Sequence, residues 1–488
     1  MKKLKIFIYK LVVIKYYIIV SEIFFFLKIY PKKLVEFKLE RLISKELYNQ
    51  IESKKFNKSD YLSVCKKIEI FISKIKSKKE LWPKFYYIMS SYYAYKCDFN
   101  NWIECNNKII DLSSLNQTTT GVIELGYFSK TIGSSYTVDA FIKSMHLNFT
   151  KIKKIEFFLK DRNEFINTKM LEYWEEYIDI KFGKKNFKKY KEKILNNNIW
   201  HDVFIPCDIN VKKKYAHSSG VYIQNKWDEK NYKPLFKIKK NDKIISKNLL
   251  SKIGIKENDW YVTIHVRESK FKGEESYRDS NINNYIDAIN FITSKGGWVI
   301  RMGDNTMKKI DLDNDKFFDY ANSNLKSDLL DVYLCATSKF MIGTSSGLSA
   351  ISYIFGTRLA LTNLLPTATV YLSKNDIFIP RILKSKKNNK ILSFKEIFSP
   401  PINIAMIDGS YRNILEVEFV ENSEDEIFNL VKEMYENIFE IKENKVDEKL
   451  QELFHKNLME IEPLIGFPNM SFQCNVSSYF LKKYNNLI

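Results

Sequence analysis

The stretch that most limits what this chain can fold into runs from residue 260 to residue 362, where short apolar runs alternate with helical patterns. Residues 260–266 are β-branched and aromatic, as a buried strand requires. Residues 281–294 place Ile282, Tyr285, Ile289 and Ile292 on one side of a helix, and Gly296-Gly297 ends it. Further strands are expected at 298–302, 340–342 and 358–362, with helices at 327–336 and 348–354. Four strands joined by helices predict a doubly wound, Rossmann-like parallel sheet with right-handed crossovers.

Ligands of such sheets sit beyond the carboxyl ends of the strands. The first strand ends in His265-Val266-Arg267-Glu268, and alternation puts His265 and Arg267 on one face. Arg267 offers a planar fork of donors suited to a pair of phosphate oxygens, where lysine would supply a point charge. The second strand ends in Arg301-Met302-Gly303-Asp304 and the third in Gly343-Thr344-Ser345-Ser346-Gly347. This last loop enters a helix directly, so its N–H groups and hydroxyls can surround an anion at the positive helix end. Alone, the loop reads as an N-cap turn. With two strand-end arginines in the same sheet it reads as half of a diphosphate site, though not a Walker loop, because no Gly-Lys-Ser/Thr follows.

Upstream, residues 120–234 also alternate, with apolar runs at 122–125, 138–145, 155–159 and 202–206, and predict a second set of parallel βαβ units. Its first run leads into Glu124-Leu125-Gly126-Tyr127, a turn that can face a cleft. The lysine-rich patch at 181–193 reads as a solvated helix face. Residues 34–115 are helical in pattern. Before them, the apolar segment 2–33 is interrupted by Lys10, Lys15, Glu22 and Lys28, which suits a core helix or a helix on an anionic bilayer surface better than a membrane span. Past residue 400 the chain turns acidic. Ser423 and Glu426 form a capping-box pattern, and Ile427, Val431, Met434, Ile438 and Ile441 mark the apolar stripe of one long helix packing back on the body.

With 488 residues, 45% of them hydrophobic, the chain is long enough for two or three domains with sizeable cores. The divisions expected are a helical segment at 1–118, α/β domains at 119–240 and 241–400, and a helical segment at 401–488. An excess of 78 Lys+Arg over 58 Asp+Glu attracts polyanions in general, but no nucleic-acid signature accompanies the dispersed lysines, so nucleic acid is not an expected partner. Cys65, Cys97, Cys105, Cys207, Cys335 and Cys474 form no CxxC pair, which fits reduced thiols. His146, His201, His217 and His455 lack metal-ligand spacing, and Asp328 and Asp331 read as the acidic first turn of a helix capped by Ser327. No metal site is expected.

The ordered set HVRE, GGWVIRMGD, DYANSNLKSDLLDVYLCA and FMIGTSSGL, with Phe355-Gly356 and Thr362-Asn363 after it, resembles a family of bacterial glycosyltransferases found in surface-glycan gene clusters. More distantly it is similar to fucosyltransferases carrying an H-x-R motif. The resemblance implies a GT-B architecture of two Rossmann-like domains, a nucleotide-sugar donor as substrate, no cofactor or metal, and a glycan or glycolipid acceptor. Separately, the cysteine pattern points to a cytoplasmic protein, and the bilayer-surface reading of segment 2–33 would make it peripheral on the inner face of the membrane. Carried over from the resemblance, Arg267 binds the donor diphosphate, His265 lines the pocket, Thr344, Ser345 and Ser346 contact phosphate, and Asp304 and Asn363 recognise ribose or base; Arg301, Gly343 and Gly347 join the expected substrate site by their strand-end position. Glu268-Ser269 stands where the fucosyltransferases carry a basic and acidic pair, which leaves the donor open. An inverting transfer needs a base, for which Glu124, Glu268 and Asp139 are the available carboxylates. The competing expectation is a non-catalytic nucleotide-binding regulatory or scaffold protein of surface-polysaccharide assembly.

Overall fold

The structure, a computed structural model, describes residues 101, 104–105, 120–123, 132–149, 153–159, 161–186, 216–268, 276–310, 312–365, 372–399, 402, 415–441, 447–465 and 473–488. Two compact units make up the chain, 1–112 with 409–415 and 113–408 with 416–488, and every helix and strand named below belongs to the second. The expected basic segment at 2–33 and the apolar run at 202–206 lie outside the described residues.

This second unit is α/β, built on two parallel sheets, as the alternating pattern requires. The smaller sheet has the order β1 (Thr120–Ile123), β2 (Lys154–Leu159), β3 (Asp179–Phe182), all parallel. Its crossovers carry α1 (Ser135–His146) and α2 (Thr168–Trp174). The apolar run at 138–145 is therefore a crossover helix. Past Lys154, β2 is buried at every position, which is why its sequence is a continuous apolar run. At residue 181 the lysine-rich patch begins as strand, not helix: β3 pairs with β2, and Lys181 Nζ reaches Glu156 at 2.7 Å. After α3 (Ala216–Glu229) and α4 (Lys240–Ser251) the chain enters the larger sheet.

The larger sheet starts with β4 (Tyr261–His265), a 3-10 turn at 282–285, α5 (Ile286–Ser294), β5 (Trp298–Arg301) and β6 (Phe317–Phe318). The chain then returns through α6 (Asp328–Thr337) to β7 (Phe340–Gly343), α7 (Gly347–Ile354), β8 (Arg358–Leu364) and β9 (Ile377–Pro380). An antiparallel pair, β10 (Ile382–Ser385) and β11 (Val417–Val420), flanks α8 (Phe394–Phe398). Two helices follow, α9 (Glu424–Ile438) and α10 (Glu448–Ile465), then β12 (Asn475–Val476) and α11 (Ser478–Lys483). Strand order is β12-β9-β8-β7-β4-β5-β6, parallel throughout, so the sheet has seven strands where the pattern predicts four. The chain runs outward from β4 through β5 and β6, then crosses back to the other flank of β4. The point where the order reverses lies between β4 and β7. At the centre, Val262, Ile264, Ile300, Met341, Ile342 and Leu361 have no exposed surface.

Capping chemistry sets the helix limits. Ser327 accepts from the Leu330 N–H, and Gly296, at φ +88°, lets Gly297 N–H reach back to the Ile292 carbonyl at 3.2 Å. The capping box at Ser423 and Glu426 forms as its spacing predicts. One long C-terminal helix does not form: Glu440 takes φ +55°, Ile441 N–H bonds the Glu436 carbonyl at 2.9 Å, and α9 ends there. Ile441, the last residue of the expected stripe, is exposed as a result. α9 lies on α5 through Phe291, whose ring meets Phe428 at 5.5 Å and Tyr435 at 5.4 Å.

Helices of the two sheets meet along a seam of buried polar groups. Lys143 on α1 is 3% exposed and lies 2.6 Å from Asp139 and 2.7 Å from Gln224 Oε1 on α3. Tyr353 on α7 donates to the same Gln224 oxygen at 2.5 Å, and its ring lies 5.1 Å from Lys143 Nζ. A second tie joins Asp328, at the start of α6, to the N–H and hydroxyl of Thr168 on α2, at 2.7 and 2.8 Å.

The closest backbone approach in the larger sheet pairs His265 with Gly343. Gly343 has φ +136°, and a Cβ built on it would lie 1.9 Å from the His265 carbonyl oxygen. Only glycine fits both constraints. Gly343→Ala is expected to destabilise the fold by roughly 2–4 kcal/mol, read from denaturant unfolding midpoints; an unchanged midpoint would show that the strands can part at this point without cost.

Candidate functional site

The reversal point of a doubly wound sheet opens a crevice beyond the carboxyl ends of the two strands that flank it. Here those strands are β4 and β7, which carry His265-Val266-Arg267 and Gly343-Thr344-Ser345-Ser346. Because Gly343 lets the backbones close up, Thr344 N–H donates to the His265 carbonyl at 3.1 Å, and Thr344 Oγ1 accepts from the Arg267 N–H at 3.1 Å. The two segments expected to form one site are thus joined by hydrogen bonds.

Arg267 is fixed from its other side by Asp279, which the sequence pattern did not single out. Asp279 Oδ1 accepts from Arg267 Nε at 3.0 Å, and Oδ2 accepts from the Ser276 N–H at 2.6 Å. Ser280 N–H donates to the Arg267 carbonyl at 2.9 Å, so the 276–280 turn is stitched to the strand end. The signal was present as a carboxylate in a short turn twelve residues after the arginine, a spacing without diagnostic value alone. The Arg267 side chain is 17% exposed, and its planar group is oriented before any ligand arrives.

Thr344 is fully buried and Ser345 is part-exposed. Ser346 forms a reciprocal capping box with Ser349: its hydroxyl accepts from the Ser349 N–H at 3.2 Å, and Ser349 Oγ accepts from the Ser346 N–H at 2.9 Å. Ser346 therefore acts first as the N-cap of α7. Gly347 is a packing glycine, since a Cβ there would lie 2.5 Å from Ile132 Cγ2, in the 3-10 turn 132–134. That turn lays the smaller sheet's loop against the entrance of α7.

Other expected site residues are committed to the protein itself. Arg301 is 1% exposed; it donates to Glu268 Oε1 at 2.9 Å, to Asp319 Oδ2 at 3.1 Å and to the Lys308 carbonyl at 2.6 Å. Glu268 also accepts from the Lys308 N–H at 2.8 Å. Together they anchor the loop after β5. Asp304 caps its own turn, accepting from the Thr306 N–H at 2.8 Å. Asn363 is 2% exposed with φ +51°; its N–H donates to Asn422 Oδ1 at 2.5 Å and its Oδ1 accepts from the Asn422 N–H at 2.8 Å. Its amide nitrogen donates to Ser280 Oγ at 3.0 Å. Asn363 is thus a lock between β8 and the start of α9, a partnership no sequence spacing announces.

Of the carboxylates offered as a base, Asp139 is 1% exposed beside Lys143, and burial raises its carboxyl above the usual range. Glu124 lies outside the described residues. Asp331 pairs with Lys326 at 2.9 Å, so the Asp328 and Asp331 pair is split between separate partners. Among the described residues no group of three or more His, Cys, Asp or Glu is placed to hold a metal, and no helix is long and apolar enough to cross a membrane. A groove of about 520 Å³ between α5 and α9, lined in part by Asp287, Phe291, Glu424 and Phe428, takes in none of the strand-end residues.

No family model and no curated protein matches the chain. Among solved structures, it superposes in part on E. coli ADP-heptose lps heptosyltransferase II, with 11% identity, a TM-score of 0.32, and 50% of this chain and 83% of that one covered. E. coli heptosyltransferase WaaC with ADP gives 9% identity and a TM-score of 0.33 over 66% of this chain and 99% of that one. For TibC, an iron-containing dodecameric glycosyltransferase from enterotoxigenic E. coli H10407, the values are 12% and 0.30, with 52% of this chain and 60% of that one covered. Superpositions this loose do not bear on function, which is argued below from the side chains.

His265 Nδ1 is buried without a hydrogen-bond partner. Burial, reinforced by the Arg267 charge, holds its imidazole down at about 4, so it is neutral at physiological pH. Its folded value lies below that of an unfolded histidine, so the contribution to stability is intact above about pH 6.5. As pH falls from there toward 4, the unfolded chain takes up the proton first, and roughly 1.4 kcal/mol is lost per pH unit. NMR titration of the ring is expected to show no transition between pH 5.5 and 8, and Arg267→Gln should move the midpoint upward; a wild-type midpoint near 6.5 would refute the buried, neutral assignment.

Proposed function

We propose that the chain is a glycosyltransferase that moves a sugar from a nucleoside-diphosphate sugar to a glycan or glycolipid acceptor of the cell surface. The observation that carries this reading is Arg267, oriented by Asp279 at the reversal point of the sheet and hydrogen-bonded through its own N–H to the loop that opens α7. Breaking the bond between sugar and diphosphate releases growing negative charge. Pre-oriented donors stabilise such charge without reorganising at the moment of reaction. Arg267 supplies the fixed positive charge, the Ser345 hydroxyl and the N-terminus of α7 the neutral donors, and His265, being neutral, adds a polar wall without competing for the anion. In this reading the smaller sheet presents the acceptor from across the cleft, as in a GT-B enzyme, with no metal taking part.

The acceptor hydroxyl must lose a proton. Glu268 is bound to Arg301, and Asp139 to Lys143, so neither is available without breaking a structural pair. Glu124, next in sequence after β1, is the carboxylate to test first. The same engagement of Glu268 and Asp139 favours the second reading, a nucleotide-binding regulator without transferase activity. Turnover separates the two.

Arg267→Ala removes the side chain but keeps the backbone bonds that join β4 to β7. The variant should therefore stay folded, while transfer from the cognate nucleotide sugar falls by about 10²–10³-fold. A labelled-donor assay over a panel of nucleotide sugars and cell-surface glycans reads this directly. Transfer at the wild-type rate would refute the assignment, and donor binding without any wild-type turnover would favour the regulator.

A further inference from the structure

Beside Arg267 the 276–280 turn carries a second arginine, Arg278, which enters none of the contacts so far described. Among the described residues its guanidinium has no hydrogen bond and no ion pair, and its Nε is shut away from water without an acceptor. A buried guanidinium N–H left unpaired is costly, and native structures rarely keep one without a use. Nor is Arg278 loosely placed. Its guanidinium carbon lies 6.0 Å from the centre of the Tyr277 ring, which lies 5.9 Å from the ring of Phe419 on β11. The far side of Phe419 is covered by Arg381 at 5.9 Å, and Arg381 donates to the Asp279 carbonyl at 2.5 Å. Asp279 in turn holds Arg267. The Asp279 carboxylate is spent on Arg267 and the Ser276 N–H, Arg381 holds the Asp279 main chain, and Arg278 is left beside the Tyr277 ring with no carboxylate of its own.

We infer that Arg278 is a second oxyanion-binding residue, which with Arg267 grips the diphosphate of the donor. The inference rests on the nucleotide-sugar reading for the identity of the ligand but not for the existence of the anion seat. A diphosphate offers more oxygens than one guanidinium fork can meet, and two forks on adjacent segments suit it better than one. Phosphate oxygen at Arg278 Nε would satisfy the donor the protein leaves unpaired. The contact with the Tyr277 ring explains how the side chain stays in place before the ligand arrives.

The test uses the full-length chain and the variants Arg278→Gln, Arg278→Lys and Arg267→Gln, titrated with UDP, GDP, ADP and inorganic pyrophosphate by calorimetry and thermal shift. Arg278→Gln loses no hydrogen bond and should melt with the wild type. Its affinity for the nucleoside diphosphate that the wild type binds should fall tenfold or more, with partial recovery in Arg278→Lys, which restores the charge but not the fork. Undiminished affinity in Arg278→Gln overturns the proposal, as does a wild type that responds to no diphosphate and no pyrophosphate. Should no nucleoside diphosphate bind while pyrophosphate stabilises the wild type and not Arg278→Gln, the anion seat stands and the nucleotide-sugar reading falls. If Arg278→Gln does not fold, a severalfold loss of affinity in Arg278→Lys supports the proposal, and wild-type affinity there overturns it.

Discussion

Everything at the candidate site depends on how closely two backbones approach. A side chain on residue 343 would occupy the space of the His265 carbonyl, and only its absence lets β4 and β7 run together to their last residues. The two hydrogen bonds that follow, through Thr344, set the height of Arg267 above the sheet. Each is worth about 1 kcal/mol net, which is little. Their value is geometric, since they remove the freedom of a strand end that would otherwise fray into the cleft.

Two arginines at neighbouring strand ends meet opposite fates, and charge balance explains why. Arg301 is buried between two carboxylates, Glu268 and Asp319, so its ion pairs are closed and slightly over-neutralised. Removing a charge from water is tolerated only when partners of this kind surround it. On the other flank, the Asp279 carboxylate pairs with Arg267, Arg381 bonds Asp279 through the main-chain carbonyl, and Arg278 has no carboxylate partner among the described residues. Arg301 is therefore closed off by its own partners, whereas the 276–280 turn keeps one guanidinium, that of Arg278, without an acceptor among those residues.

In the larger sheet β4, β5, β7 and β8 were legible because parallel strands buried on both faces are continuous apolar runs, and because Ile282, Tyr285, Ile289 and Ile292 mark a helix face that is indeed buried. β6, β9 and β12 were missed: β6 and β12 have two residues each, too few for any periodicity, and β12 joins the sheet only through its partner β9. The break between α9 and α10 was missed because Glu440 is neither glycine nor asparagine, the usual residues at a left-handed helix end. At the site, the pairing of the strand ends was legible from the topology rule. What could not be read was which polar side chains serve the protein itself. Asn363 and Arg301 have the composition of ligand contacts and the environment of struts, and environment is a property of distant partners such as Asn422 and Asp319.

The seam around Lys143 bears on how such a molecule can move. Separating α1 from α7 would carry the Lys143–Asp139 pair, both on α1, away together, and would take from Gln224 on α3 one of its two donors, Lys143 or Tyr353. Buried polar ties of this kind resist separation, since the group that leaves gives up its acceptor. The seam therefore ties the helices of the two sheets together at this point. A displacement of one sheet's helices against the other's would be smallest here and would grow with distance from α7.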